Sequence, residues 1–252
     1  MGEAEQQIQS VWTREPQRSR RRDQPALSRD QIVSEALALL DEEGMEALSM
    51  RKLGTRLGAG ATSLYTHVAN KEELMELITD AVFGELDPLV VGSEGWRAAM
   101  LAFSHDLRAM MLRHPWLSSA LGEMGLLYLA PNMLRLNESV LTLLEDAGFP
   151  PDDADTAVTV IFSFVIGLAL SEAAAAITIR RSGLDEVEWY RKLMPAAEIA
   201  ARPYPTLHRR YINFDEKTAG PDVDLHRMRT GAFDIQINRI LDGLDPEFRA
   251  GR

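Results

Sequence analysis

The sequence predicts an all-α protein: an N-terminal three-helix helix-turn-helix domain followed by a larger C-terminal helical domain. Three observations carry that expectation. Apolar residues recur at three- and four-residue spacing through most of the chain, the period of one helix face. Ser, Asn and Gly fall where such runs begin and end. Two short helical runs, moreover, flank a glycine-bearing turn at "LGAGA", residues 57–61.

The first element starts at Ser28, which forms a capping box with Gln31. Ile32, Leu37, Leu39 and Leu40 build its apolar face, and Gly44 stops it. Ser49 opens a second, two-turn helix with Met50, Leu53 and Leu57 inward, and Gly58 follows as a left-handed terminator. A third helix is expected from about Ala61 to Val68, with Leu64 and Val68 inward at i, i+4. Ser63, Tyr65, Thr66 and His67 then face flanking or outward directions. Asn70 and Glu73 cap a fourth helix.

In that layout the second short helix can lie in the major groove of DNA. The small start supplied by Gly60, Ala61, Thr62 and Ser63 lets the backbone approach bases and phosphates. The bland reading, a helical hairpin that packs without touching DNA in a helical interaction protein, stands beside it. Charge bears on the choice. The chain is strongly acidic overall, net −11, yet residues 14–71 hold ten Lys/Arg against eight Asp/Glu while residues 72–252 hold 17 against 28. Arg14, Arg18, Arg20, Arg21 and Arg22 precede the first cap, as a solvated tail or as an arm on the phosphates or minor groove. Because they precede it, deleting residues 1–22 is expected to leave the fold intact.

Composition excludes other classes. At 46% hydrophobic and 26% charged the chain is that of a globular protein, not a disordered or fibrous one. The absence of cysteine rules out disulfide and thiolate chemistry and fits a reducing compartment; the polar start "MGEAEQQIQS" lacks the order of a secretory signal. A cytoplasmic protein is expected. The longest uncharged stretch, Thr156 to Ser171, falls short of the ~20 residues a bilayer requires, so a buried helix and no membrane partner are expected. His105, Asp106, His208, Asp215, Asp222, Asp224 and His226 form no triad or metal-ligand spacing, and no phosphate loop or nucleophile elbow is present. No catalytic residue, metal or cofactor is expected.

The segment from "LSRDQIVSEALALL" through "LSMRKLGTRLG" and "SLYTHVANKEEL" to "ITDAV", residues 27–82, resembles the DNA-binding domain of the TetR family. "HPWL" at 114–117 and "FDIQINRILDGL" at 233–244 resemble the regulatory half of its tetracycline-repressor branch. The resemblance implies that Arg51 reads a base, that Tyr65 and Lys71 contact the DNA backbone, and that Ser63 is similarly placed. His67 shares the face, with a phase that also turns it back between the helices. Where tetracycline repressors carry glutamine and proline this chain has Ala61 and Thr62, so their operator does not transfer. The DNA-contacting set is thus Arg51, Ala61, Thr62, Ser63, Tyr65, His67 and Lys71, with Arg18, Arg20, Arg21 and Arg22 as the arm.

The expected divisions are 1–26, a basic flexible arm; 27–72, the helix-turn-helix domain; 73–245, a helical regulatory and dimerisation domain; and 246–252, a tail. In the regulatory half Trp96, Met100, Phe103, Leu107 and Met110 share a helix face, either as core or, in part, as the lining of an apolar small-molecule site. Phe103, Leu107, Tyr128, Phe162 and Ile166 are the candidate lining, and Met124, Leu127 and Met133 lie nearby in sequence. Ser163, Gly167 and Ser171 allow close approach of another helix. With a face at Phe233, Ile237, Ile240 and Leu241 they suggest a homodimer. Glu172 reads as a paired structural charge. Residues 203–222 show no clean periodicity and are expected to be an irregular lid or disordered. The function expected is that of a ligand-responsive repressor, a dimer on a palindromic double-stranded DNA operator, released by an apolar effector.

Overall fold

The computed structural model describes residues 10–12, 27–90, 92–121, 129–218, 220 and 223–245, without the side chains of Ala61 and of residues 214–218. The described residues form helices and turns and divide into two units, one up to Leu170 and one from Ser171.

The first unit opens with α1 (Arg29–Glu43), whose Ser28–Gln31 capping box is present in both directions. After a 3-10 turn at Met45–Ala47, α2 (Met50–Arg56) starts from Ser49, whose hydroxyl accepts the Lys52 N–H at 3.2 Å. Gly58 takes φ +61, a conformation that L side chains rarely adopt, and turns the chain into α3 (Ala61–Leu64). Asn70 caps α4 (Lys71–Phe83) by accepting the Glu73 N–H at 2.7 Å. The Glu73 carboxylate reaches one residue further back than a capping box requires, to the Ala69 N–H. α1 packs on both α2 and α4, and α2 on α3, around Ile32, Leu39, Leu40, Leu53, Leu64, Val68, Leu74 and Ile78, each buried.

The third helix is shorter than the expected span to Val68. The Thr66 hydroxyl donates to the Ser63 carbonyl at 2.7 Å and the His67 N–H to the Leu64 carbonyl, so residues 65–67 tighten into turns. Leu64 and Val68 are buried as anticipated.

Beyond α4 come α5 (Gly95–Arg113), the single turn α6 (Leu117–Ala120) and α7 (Pro131–Asp146), with α7 packed on α4 and α5. Gly84 permits the α4–α7 approach: a Cβ there would lie 2.9 Å from the Asn132 amide nitrogen and 2.9 Å from the Ala81 carbonyl oxygen. Met100, Phe103, Leu107 and Met110 are buried along α5, and Trp96 meets Phe149 edge-on at 4.9 Å.

α8 (Pro151–Ser182) spans the boundary between the units. Ala154, Ala157, Ile161, Val165, Ala169 and Ala173 form a buried stripe along it, and Ile179 is buried near its end. By length and composition it is sufficient to cross a membrane, which the 16 uncharged residues did not suggest, because the helix runs on past Ser171 through a row of alanines. Only 22% of its most apolar 18-residue window is buried.

In the second unit α9 (Glu186–Ala201) packs on α10 (Pro205–Thr218), and α11 (Leu225–Leu244) follows. The segment expected to be irregular is therefore largely helix: Pro205 sits at the first helical position, where a missing N–H costs nothing and the fixed φ suits the helix. Arg229 of α11 makes a bidentate contact with Glu186 of α9. That hydrogen-bonded pair raises the guanidinium above its usual range, with a further contribution from the Glu172 charge.

Candidate nucleic-acid interface

Ser49 and Gly58 start and end the helix before the turn, and the Ala59 N–H donates to the Gly54 carbonyl at 2.8 Å, drawing the turn tight. Leu53 and Leu64, fully buried, fix how α2 and α3 rotate about their axes. With that rotation set, Arg51, Thr62, Ser63 and Thr66 are exposed and Tyr65 presents half of its surface, 50%, to solvent. The backbone at Ala61 opens α3. His67 is half-buried, with its carbonyl accepting from the Arg29 guanidinium at 3.3 Å, so the first turn of α1 holds the exit from α3. Lys71 is half-buried at the first position of α4, beside the Asn70 cap.

Apart from Arg29, which donates to the His67 carbonyl, the described cations of this domain fall into two groups. Lys52 pairs with Glu43, and Arg56 reaches Glu35 at 2.5 Å and Glu42 at 2.7 Å. The Arg56 hydrogen bond and charge hold the exposed Glu42 carboxyl below its usual range. Among the described residues Arg51 and Lys71 have no carboxylate partner. A lysine at a helix N-terminus is unfavourable beside the helix dipole and becomes favourable when an anion lies between them. The arrangement suits phosphate and base-edge oxygens. Arg18, Arg20, Arg21 and Arg22 lie outside the described residues, but Ser10 to Trp12, ahead of them, are placed. The Ser10 hydroxyl and Val11 N–H donate to Glu76 of α4 at 2.6 and 3.0 Å, and both residues are buried. Removing residues 1–22 would therefore strip contacts from α4, which corrects the expectation that such a deletion leaves the fold untouched.

Of the expected lining residues, Phe103 and Leu107 are buried one turn apart on α5, and Phe162 and Ile166 are half-buried one turn apart on α8. The Phe103 and Phe162 rings lie 5.5 Å apart. Tyr128, Met124 and Leu127 lie outside the described residues, and Met133 is half-buried on α7. Of the α11 face expected to join a partner, Phe233, Ile237 and Leu241 are fully buried within the single chain and Ile240 is half-buried, while Ile235 is exposed. Of the residues considered for a triad, Asp224 caps α11 and His208 contacts Glu198 at 3.2 Å, while Asp222 and the Asp215 side chain lie outside the described residues. Among the described residues no group of three or more His, Cys, Asp or Glu could hold a metal ion.

Sequence reasoning passed over the polar cluster at the α5–α6 corner. His114 and Trp116 both donate to Asp41 of α1, at 2.7 and 2.8 Å, and His114 also faces Glu85. Burial pushes the Glu85 carboxyl up, but Arg113 and His114 outweigh it and hold the group below the usual carboxylate range. The "HPW" run was the available signal, a histidine beside a tryptophan at a helix end.

A tight helix-turn-helix with an outward basic and hydroxyl-bearing face, joined to a helical domain, defines a DNA-binding transcriptional regulator. The chain belongs to the TetR family: residues 32–78 match "Bacterial regulatory proteins, tetR family" and residues 89–246 match "Tetracyclin repressor-like, C-terminal domain". It is similar to the HTH-type transcriptional repressor DrrR1 of Streptomyces coeruleorubidus, 33% identical over 97% of this chain and 86% of that one. It also resembles the tetracycline repressor protein class C of Escherichia coli, 29% identical over 86% of this chain and 98% of that one. Among solved structures it is similar to the Streptomyces coelicolor TetR family protein ActR in complex with actinorhodin, with a TM-score of 0.68 and 29% identity, covering 86% of this chain and 96% of that one.

Proposed function

We propose that this regulator is a repressor that binds a pseudo-palindromic operator as a homodimer and is released by an apolar small molecule. The observation that carries the DNA half is the division of cations: Lys52 and Arg56 are tied to carboxylates, while among the described residues Arg51 and Lys71 have none, in the same helix-turn-helix that exposes Thr62, Ser63 and Tyr65. Arg51 reads a base; Ser63, Tyr65 and Lys71 hold phosphates; the backbone at Ala61 and Thr62 approaches the groove; and His67 braces the end of α3. The arm Arg18, Arg20, Arg21 and Arg22 adds phosphate or minor-groove contacts.

Dimerisation is supported by α8, where Val160, Ser163, Gly167 and Ser171 make an exposed stripe and a Cβ on Gly167 would meet nothing within 4 Å. One recognition helix covers only a few base pairs, so two must act together, about 34–36 Å apart. The effector site is supported by Phe103, Leu107, Phe162 and Ile166 on facing stretches of α5 and α8, and by the actinorhodin held in the similar ActR structure. Selection of bound sequences from random duplex DNA, followed by a screen for small molecules that release the complex, tests the reading. A palindromic consensus and release by an apolar compound are expected.

A further inference from the structure

His114, buried at 6% exposure, is held between two carboxylates. Its Nδ1 lies 2.7 Å from Asp41 Oδ1 and its Nε2 lies 3.0 Å from Glu85 Oε1. Ionised carboxylates only accept hydrogen bonds, so both contacts are satisfied only when each ring nitrogen carries a hydrogen. A neutral ring would turn one lone pair against a carboxylate oxygen. The same Asp41 oxygen accepts the Trp116 N–H at 2.8 Å, and Arg113 donates to the other Glu85 oxygen at 2.6 Å.

The cluster joins three parts of the first unit. Asp41 lies in the last turn of α1, the helix that backs α2 and grips the end of α3 through Arg29. Glu85 follows α4, which begins at Lys71. Residues 113–116 form the corner between α5, with Phe103 and Leu107, and α6. A buried charge shared by several partners is costly to desolvate, and one attested reason to retain such a group is that it fixes a register or a switch.

We propose that His114 is a positioning residue for operator binding: as a cation shared by Asp41 and Glu85 it locks α1, and with it the recognition turn, to the α5–α6 corner. The inference rests on the operator-binding reading. Without both hydrogen bonds α1 loosens, so operator affinity falls when residue 114 cannot donate to Asp41 and Glu85 together. Asp41 from α1, Glu85 from the end of α4 and Arg113 from α5 are the charged groups of the cluster.

The test is operator affinity by fluorescence anisotropy on the selected duplex, with thermal melting followed in parallel. His114→Gln, which cannot donate to both carboxylates, should bind the operator roughly five-fold or more weakly than wild type at temperatures well below its melting. His114→Lys, which retains a cation, should bind more tightly than His114→Gln. If His114→Gln does not fold, Asp41→Asn should weaken operator binding likewise; wild-type affinity in that variant overturns the proposal. Wild-type affinity in folded His114→Gln, or no recovery in His114→Lys, also overturns it and leaves operator binding intact. A wild-type chain that binds no selected duplex removes the operator reading and this inference together.

Discussion

Asp80 of α4 accepts the backbone N–H of Asn132 at 2.8 Å and its side-chain amide at 3.0 Å, so a carboxylate from one helix closes the first turn of another. Burial raises the Asp80 carboxyl above its usual range, partly offset by hydrogen bonds from Asn132 and Met133. A carboxyl raised in the fold contributes stability at low pH that is lost as pH rises through its folded value. Asn132→Ala removes an opposing donor and should raise it further. The variant is expected to lose about 1–3 kcal/mol, the cost of leaving a buried acceptor unmet. It should lose more at neutral pH than near pH 5, as read by denaturant unfolding at both.

Arg51→Ala and Lys71→Ala should separate base reading from phosphate holding. The first is expected to relax discrimination at one base step by about 1–3 kcal/mol. The second should weaken every duplex alike and reduce the salt slope by about one. Titrations of the consensus and a scrambled duplex at several salt concentrations distinguish the two; equal effects of both variants on the scrambled duplex would contradict these roles.

For the arm, replacement is cleaner than deletion, since Ser10 and Val11 are docked on Glu76. Changing Arg18, Arg20, Arg21 and Arg22 to glutamine should lower the salt slope by up to roughly 0.9 for each phosphate no longer neutralised, with melting unchanged. An unaltered slope would leave these arginines as solvation.

Phe103 and Phe162 touch, yet they should respond differently. Phe103 is 4% exposed and its truncation to alanine is expected to cost about 3–5 kcal/mol as a core cavity. Phe162, half-buried on α8, should tolerate a polar replacement, retain operator affinity and change the effector concentration needed for release. Loss of stability and DNA binding together in the Phe162 variant would place it in the core instead.

The DNA-binding half was largely legible because its signals are local. Ser28, Ser49, Asn70 and Gly58 act through neighbours three or four residues away, and each does what its spacing implies. The end of α3 was not, because Thr66 competes for a carbonyl that periodicity assigns to the helix. The clasp of Asp41, Glu85 and His114 was invisible because its members lie 29 to 73 residues apart and none is unusual in its own window. The inward face of α11 misled for a related reason: an apolar stripe announces that something covers it, not whether that cover belongs to the same chain.

The uncovered face of α8 has a consequence for how much folded protein exists at all. Association that removes that face from water stabilises the folded chain by mass action, so the melting temperature should climb with protein concentration. In a cell holding few copies, the population competent to find the operator would then depend on expression level more steeply than a one-to-one count of chains suggests.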